Sequence, residues 1–172
     1  MGIFVSQLVD MCVRSKVLTL SFELNVDKWK TIDEDVKDAI SSEWHSIKFL
    51  NEDATRINQD IVQVPNDCGG VYMFLLRPDV IPGLHRYIMY IGRARQQKQF
   101  SLRKRCRAYL TDMRPKVATM RELWGKDLYF YYLPLDDDDF INRTEKELLR
   151  VIIPPCNSDI PEHYYAPDQP MF

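Results

Sequence analysis

The apolar positions of this chain fall into three short β-rich runs and several stripes at helical spacing. Two runs, 71–76 and 87–92, carry Val-Tyr-Met-Phe-Leu-Leu and Tyr-Ile-Met-Tyr-Ile-Gly. A polar stretch holding Pro78, Pro82 and Gly83 joins them, which is the pattern of a β-hairpin. A third run, 128–133, is bounded by Pro134 and predicts another strand. Helical spacing predicts helices over 4–16, 31–50, 101–112, 115–124 and 139–153, and alternation predicts a strand over 17–24. Thr31 followed by Glu34 reads as a capping box for 31–50, with Val36, Ile40, Trp44 and Ile47 as its stripe. Ser101 is a candidate cap for 101–112; Pro115 and Gly125 punctuate the two ends of 115–124. The polar stretch 51–69 ends in Pro65-Asn66-Asp67-Cys68-Gly69 and reads as a loop. The acids from Asp136 to Asp139 lead into the last helix, where they favour its N-terminus.

In that last helix Ile141, Leu148, Leu149 and Ile152 form the apolar stripe. Glu145 lies within it, at i+4 from Ile141, whereas Glu147 lies off it. A carboxylate on an inward face is costly without a positive partner.

Composition adds that of an ordinary globular chain, 45% hydrophobic and 28% charged over 172 residues. That length fits one domain, or one domain with an appendage. No apolar run approaches the length of a membrane span. Cys12, Cys68, Cys106 and Cys156 show no metal-knuckle spacing and read as reduced thiols of a cytoplasmic protein. The charge is uneven: residues 1–69 hold 7 basic and 12 acidic groups, net −5, and residues 70–172 hold 16 and 13, net +3. Between Arg93 and Lys116 nine basic residues face one acid, Asp112, a patch suited to a polyanion. Arg93, Arg95, Arg103, Lys104 and Arg107 of this stretch are expected to bind substrate phosphates.

Taken together, Tyr72, Tyr90, Arg93, Arg105, Tyr109, Glu145 and Asn157 suit phosphodiester hydrolysis. One carboxylate can hold one Mg²⁺ and leave most of its octahedral shell to water and phosphate. An arginine can hold the non-bridging oxygens. A phenol can relay the proton if a cationic field lowers its pKa from about 10.

At these residues the sequence resembles the GIY-YIG nuclease superfamily, over residues 65–160. Gly70-Val71-Tyr72 stands for the first signature in its Val variant, and Tyr90-Ile91-Gly92 is the second unchanged. Arg93-Ala94 follows where the family often has a basic and then a small residue. Leu102-Arg103-Lys104-Arg105 resembles the helix bearing the catalytic arginine, which assigns Arg105. Tyr109 matches a position that is Tyr in excision-repair nucleases and His in several restriction enzymes. Glu145, with Leu148-Leu149, Pro154 and Asn157 after it, has the spacing of the metal-binding glutamate and the later asparagine.

The resemblance implies an α+β fold, a three-stranded antiparallel sheet flanked by helices. It also implies a DNA endonuclease using one Mg²⁺ (or Mn²⁺) held by Glu145. Tyr72 (Tyr90 less so) would take a proton from the attacking water, Arg105 would hold the phosphate, and Asn157 would orient the neighbourhood of Glu145. One site cuts one strand, so double-strand cleavage would need a homodimer or two binding events. Residues 1–64 read as an N-terminal extension that packs on the core or docks a protein partner, and 161–172 as a C-terminal strap. The alternatives are a nuclease subunit of a defence or repair complex, and a nucleic-acid-binding module without turnover.

Overall fold

A computed structural model describes residues 23–95 and 100–159. The helix expected over 4–16, most of the strand over 17–24 and the strap over 161–172 lie outside these residues.

The described chain is α+β. Its centre is a four-stranded, wholly antiparallel sheet in the order β2-β5-β3-β4. These strands are β2 (His45–Lys48), β3 (Gly69–Leu76), β4 (Tyr87–Ala94) and β5 (Leu128–Leu135). A second sheet pairs β1 (Glu23–Leu24) with β6 (Ile152–Ile153). Five α-helices accompany them among the described residues: α1 (Val26–Trp29), α2 (Glu34–Ile40), α3 (Leu102–Ala108), α4 (Pro115–Trp124) and α5 (Asp138–Val151).

All eight residues of β3 are buried, because strands flank it on both edges and helices cover both faces. On one face Tyr72, Phe74 and Leu76 pack with Leu102, Cys106 and Tyr109 from α3 and its cap, and with Val117 and Met120 from α4. On the other, Val71, Met73 and Leu75 meet Ile141, Leu148 and Leu149 of α5. A bulge between Phe74 and Leu75 offsets the β3–β4 register near Met89.

The expected three-stranded sheet therefore gains a fourth strand, and the single helix over 31–50 is replaced by α2, a turn and β2. The helix stops at Ser41, and the Ser42 hydroxyl donates to the Ala39 carbonyl at 2.5 Å. Such local serine bonds compete with helix continuation. Ile47 then turns inward against Phe130, its partner in β5. The Thr31 capping box does not form. Thr31 donates to Lys28 O at 2.9 Å, and Asp33 occupies the N-cap position of α2 without a side-chain cap bond. Phe49, Leu50, Ile61 and Val64 complete the same core as Tyr72.

Other local expectations hold with shorter bounds. Ser101 caps α3, accepting from Lys104 N, but the helix ends at Ala108 rather than at 112. Pro115 opens α4, and Asp137 caps α5 by accepting from Phe140 N at 2.6 Å. Gly125 keeps right-handed backbone and continues into a 3-10 turn; a Cβ there would lie 2.8 Å from Leu50 Cδ1. Cys68, Cys106 and Cys156 are free. Among the described residues no helix is long and apolar enough to cross a membrane.

Candidate active site at the sheet edge

β4 is an edge of the sheet, and the site forms where Gly92 interrupts its side chains. Gly92 lies opposite Tyr72 in register. A Cβ on Gly92 would fall 2.6 Å from the Tyr72 hydroxyl oxygen and 2.7 Å from Cζ. The Tyr72 ring therefore lies across the space that a side chain would fill. Gly70 is constrained differently: its φ is +148°, and a Cβ there would sit 2.2 Å from the Leu133 carbonyl oxygen. Both signature glycines answer to a steric demand of this sheet.

Tyr72 is fully buried, stacked on Phe130 at 5.1 Å and edge-on to Tyr109 at 5.9 Å. The Tyr72 and Tyr109 hydroxyls are 2.9 Å apart. Arg105 donates to the Tyr72 hydroxyl from Nε at 3.4 Å and from Nη2 at 3.3 Å. Arg105 and Tyr109 are four residues apart on α3 and its cap, so both aim at Tyr72.

The position of α3 is itself well determined. Leu102 N and Arg103 N donate to the carbonyls of Cys68 and Pro65 at 3.2 and 3.1 Å, which satisfies first-turn donors. Arg103 Nε and Nη2 each reach a carbonyl, of Val64 and Val62, at 2.6 Å. At the other end Arg121 Nη1 donates to the carbonyls of Tyr109 and Asp112, both at 3.0 Å.

From the opposite face of the sheet, Glu145 of α5 forms an ion pair with Arg93 of β4. The inward carboxylate thus has its positive partner, and only 14% of its side chain is exposed. Glu147, off the stripe, pairs with Arg150 instead. Tyr72, Tyr90, Arg93, Arg95, Arg105, Glu145 and Asn157 all line one cavity of about 560 Å³. Arg103, Lys104 and Arg107 do not line it; Arg103 is engaged with the loop before β3.

Electrostatics adjusts the chemistry. Burial pushes Glu145 above the usual carboxylate range, against the pull of Arg93 and Arg105. Burial also pushes the Tyr72 phenol up to about 12, with Arg105 opposing. At Tyr72 desolvation outweighs the guanidinium's field. Tyr109 is raised further by burial and by the phenols beside it. The Tyr72 hydroxyl helps hold Arg105 above its ordinary value.

Two features were not singled out by sequence reasoning. Arg114 lines the cavity, lies 5.6 Å from the ring centres of both Tyr90 and Tyr109, and donates to the Tyr90 hydroxyl at 3.4 Å. Asp112 holds it through both carboxylate oxygens, with the shortest contact 2.7 Å. Burial pushes Asp112 up, but Arg114 outweighs it and the carboxyl sits below its usual range. The sole acid of the basic stretch thus serves to aim an arginine. Second, Asn157 is a clamp: it accepts from Ile91 N at 2.9 Å and donates to Ile91 O at 2.8 Å. Cys156 N adds a bond to Met89 O at 3.0 Å, so the C-terminal segment covers the β4 edge beside Gly92.

With both its polar ends committed to Ile91, Asn157 supports the strand rather than presenting a free amide. Asn157→Ala leaves a buried N–H and C=O unpaired, which costs about 3 kcal/mol. A thermal midpoint lower by about 6–12 °C is expected in a melt followed by circular dichroism. An unchanged midpoint would refute the clamp.

No protein-family model, curated protein or solved structure matches this chain.

Proposed function

We propose that the chain is a DNA endonuclease of GIY-YIG type that hydrolyses phosphodiester bonds at this cavity. The supporting observation is that Tyr72, Arg105 and Glu145, from β3, α3 and α5, line one cavity at Gly92. Tyr72 and Glu145 belong to opposite faces of the sheet, and the missing side chain at Gly92 lets the Tyr72 ring lie across β4 into the cavity. Arg93, Arg95, Arg105 and Arg114 make the cavity cationic, which suits a phosphate backbone.

Among the described residues no group of three or more His, Cys, Asp or Glu side chains could share a cation. A cation at Glu145 would thus have one carboxylate and be completed by water and phosphate, as Mg²⁺ accepts. Glu145 would hold Mg²⁺ (or Mn²⁺), sharing its carboxylate with Arg93. A cation bound there supplies charge neutralisation for the phosphoryl group and lowers the pKa of water.

In this reading Arg105 holds the non-bridging oxygens, already aimed by the Tyr72 hydroxyl. Tyr72, in its phenolate form, takes the proton from the water that attacks phosphorus; the P–O bond to the leaving strand breaks and the leaving oxygen takes a proton from solvent. Tyr90 and Arg114 form the opposite wall, and Tyr109 fixes the orientation of Tyr72.

The raised phenol gives this role a pH signature. A base held at about 12 is deprotonated in a fraction that grows about tenfold per pH unit below that value. The nicking rate is therefore expected to climb steadily from pH 7 to 10, and Tyr72→Phe to lose both rate and slope. A flat wild-type profile would remove Tyr72 as the base.

A second reading is favoured by the Arg93–Glu145 ion pair, which satisfies the carboxylate with a protein cation. On that reading the fold binds nucleic acid without turnover, or waits for a partner to release Glu145. Nicking of supercoiled plasmid by the purified chain in Mg²⁺ separates the readings: turnover alone supports the first.

A further inference from the structure

Phe100 stands apart from the other aromatic residues of the cavity. Tyr72 and Tyr90 are buried and packed edge-on against Tyr109, whereas Phe100 is 45% exposed yet lies in the cavity wall. Among the described residues no aromatic ring stacks on it. Its position is anchored on one side: Ser101, next in sequence, is buried, caps α3 and bonds Asn66 Oδ1 at 3.2 Å. Water-exposed phenyl surface on the wall of a cationic cavity carries a hydration cost that a flat apolar ligand would relieve.

The size of the cavity leads the same way. About 560 Å³ is ample for a nucleotide with its base and sugar and far more than one phosphodiester group needs. Arg95, Arg105 and Arg114 supply cations for the phosphates on either side of such a unit.

From these observations we propose that the cavity takes an unpaired nucleotide of single-stranded DNA, its base stacked on Phe100. The inference rests on the nuclease reading and deepens it by naming the substrate class. In a duplex each base face is covered by its neighbours and only the edges reach the grooves. A base stacked on Phe100 must leave the helix, and single strands offer it without an unstacking cost. Stacking on an aromatic side chain is tolerant of sequence, because every base has a π-face.

The test uses the full chain in EDTA, so that binding is read without turnover. The probes are a single-stranded oligonucleotide containing 2-aminopurine and a duplex of the same length. The wild type is expected to bind the single strand more tightly than the duplex and to quench 2-aminopurine fluorescence. Phe100→Ala should weaken single-strand binding by about 5- to 150-fold and abolish the quench, while duplex affinity holds. Phe100→Tyr, which keeps the ring, should restore both. Because Phe100 is half exposed, its loss is not expected to disturb the fold, and an unchanged thermal midpoint checks this. Wild-type single-strand affinity in Phe100→Ala, or equal losses on both probes, would overturn the stacking site and leave the nuclease reading standing. A wild type that binds the duplex as tightly as the single strand, or binds neither, would overturn the proposal, whereas the nuclease reading stands or falls with nicking in Mg²⁺.

Discussion

Glu145→Gln is expected to lose plasmid-nicking activity by about 10³-fold or more while keeping its fold. The change preserves shape and removes the negative charge on which cation binding depends. Charge stabilisation by a bound cation is worth several kcal/mol in the transition state, and each 1.36 kcal/mol is tenfold in rate. The structural cost is moderate. Arg93 keeps 29% of its side chain exposed, so losing its ionised partner costs about 1–3 kcal/mol, and the glutamine carbonyl can still accept from it. Nicking rates and thermal melts of the two proteins, measured in parallel, check both halves. Undiminished cutting by a folded Glu145→Gln would end the one-cation scheme. A collapse of the fold would instead make Glu145 a structural counterion.

The largest stability effect is expected at Gly70. Its φ of +148° is strained for any L-residue, and an added Cβ would meet the Leu133 carbonyl at 2.2 Å. That carbonyl belongs to the neighbouring central strand and cannot swing aside like a side chain. Backbone strain of 1–3 kcal/mol and overpacking of similar size together give about 3–5 kcal/mol for Gly70→Ala. A thermal midpoint lower by about 10 °C or more should follow. Gly83 provides the internal control. Its φ is +79°, but the nearest atom to an added Cβ is Arg86 Nη2 at 3.9 Å, in the hairpin connection. Gly83→Ala therefore carries conformational strain alone, about 1 kcal/mol. Equal shifts for the two variants would contradict the steric account of the signature glycine.

The sequence announced β3, β4 and β5 because each is a concentrated apolar or aromatic run between turn residues. It announced α5 through a stripe that also singled out Glu145 as inward. β2 escaped notice because Val36, Ile40, Trp44 and Ile47 continue a helical three- and four-residue spacing across a real break at Ser41-Ser42. Only Ile47 of that strand is buried, so no alternation exposes it. Spacing alone also misplaced the Thr31 cap, which local serine and threonine bonding decides.

In the site, the need of Glu145 for a cation was readable, but the identity of that cation was not. Arg93 lies 52 residues away on a different element, and only the sheet register brings the two together. The same holds for Arg114 on Tyr90 and for Asn157 on Ile91, at separations of 24 and 66 residues. The upward pull on the phenol was hidden for another reason: proximity to Arg105 was legible, whereas complete burial of Tyr72 depends on the whole core.

The central claim is turnover at this cavity. Its most direct measurement is incubation of supercoiled plasmid with the purified wild-type chain in Mg²⁺, with EDTA and Arg105→Ala as parallel arms. Open circles are expected to accumulate over time with Mg²⁺, and none with EDTA. Loss of a positioned phosphate donor should slow Arg105→Ala by at least about 10²-fold. Plasmid that stays supercoiled with stoichiometric wild-type protein and Mg²⁺, or that is cut equally well by Arg105→Ala, would contradict it.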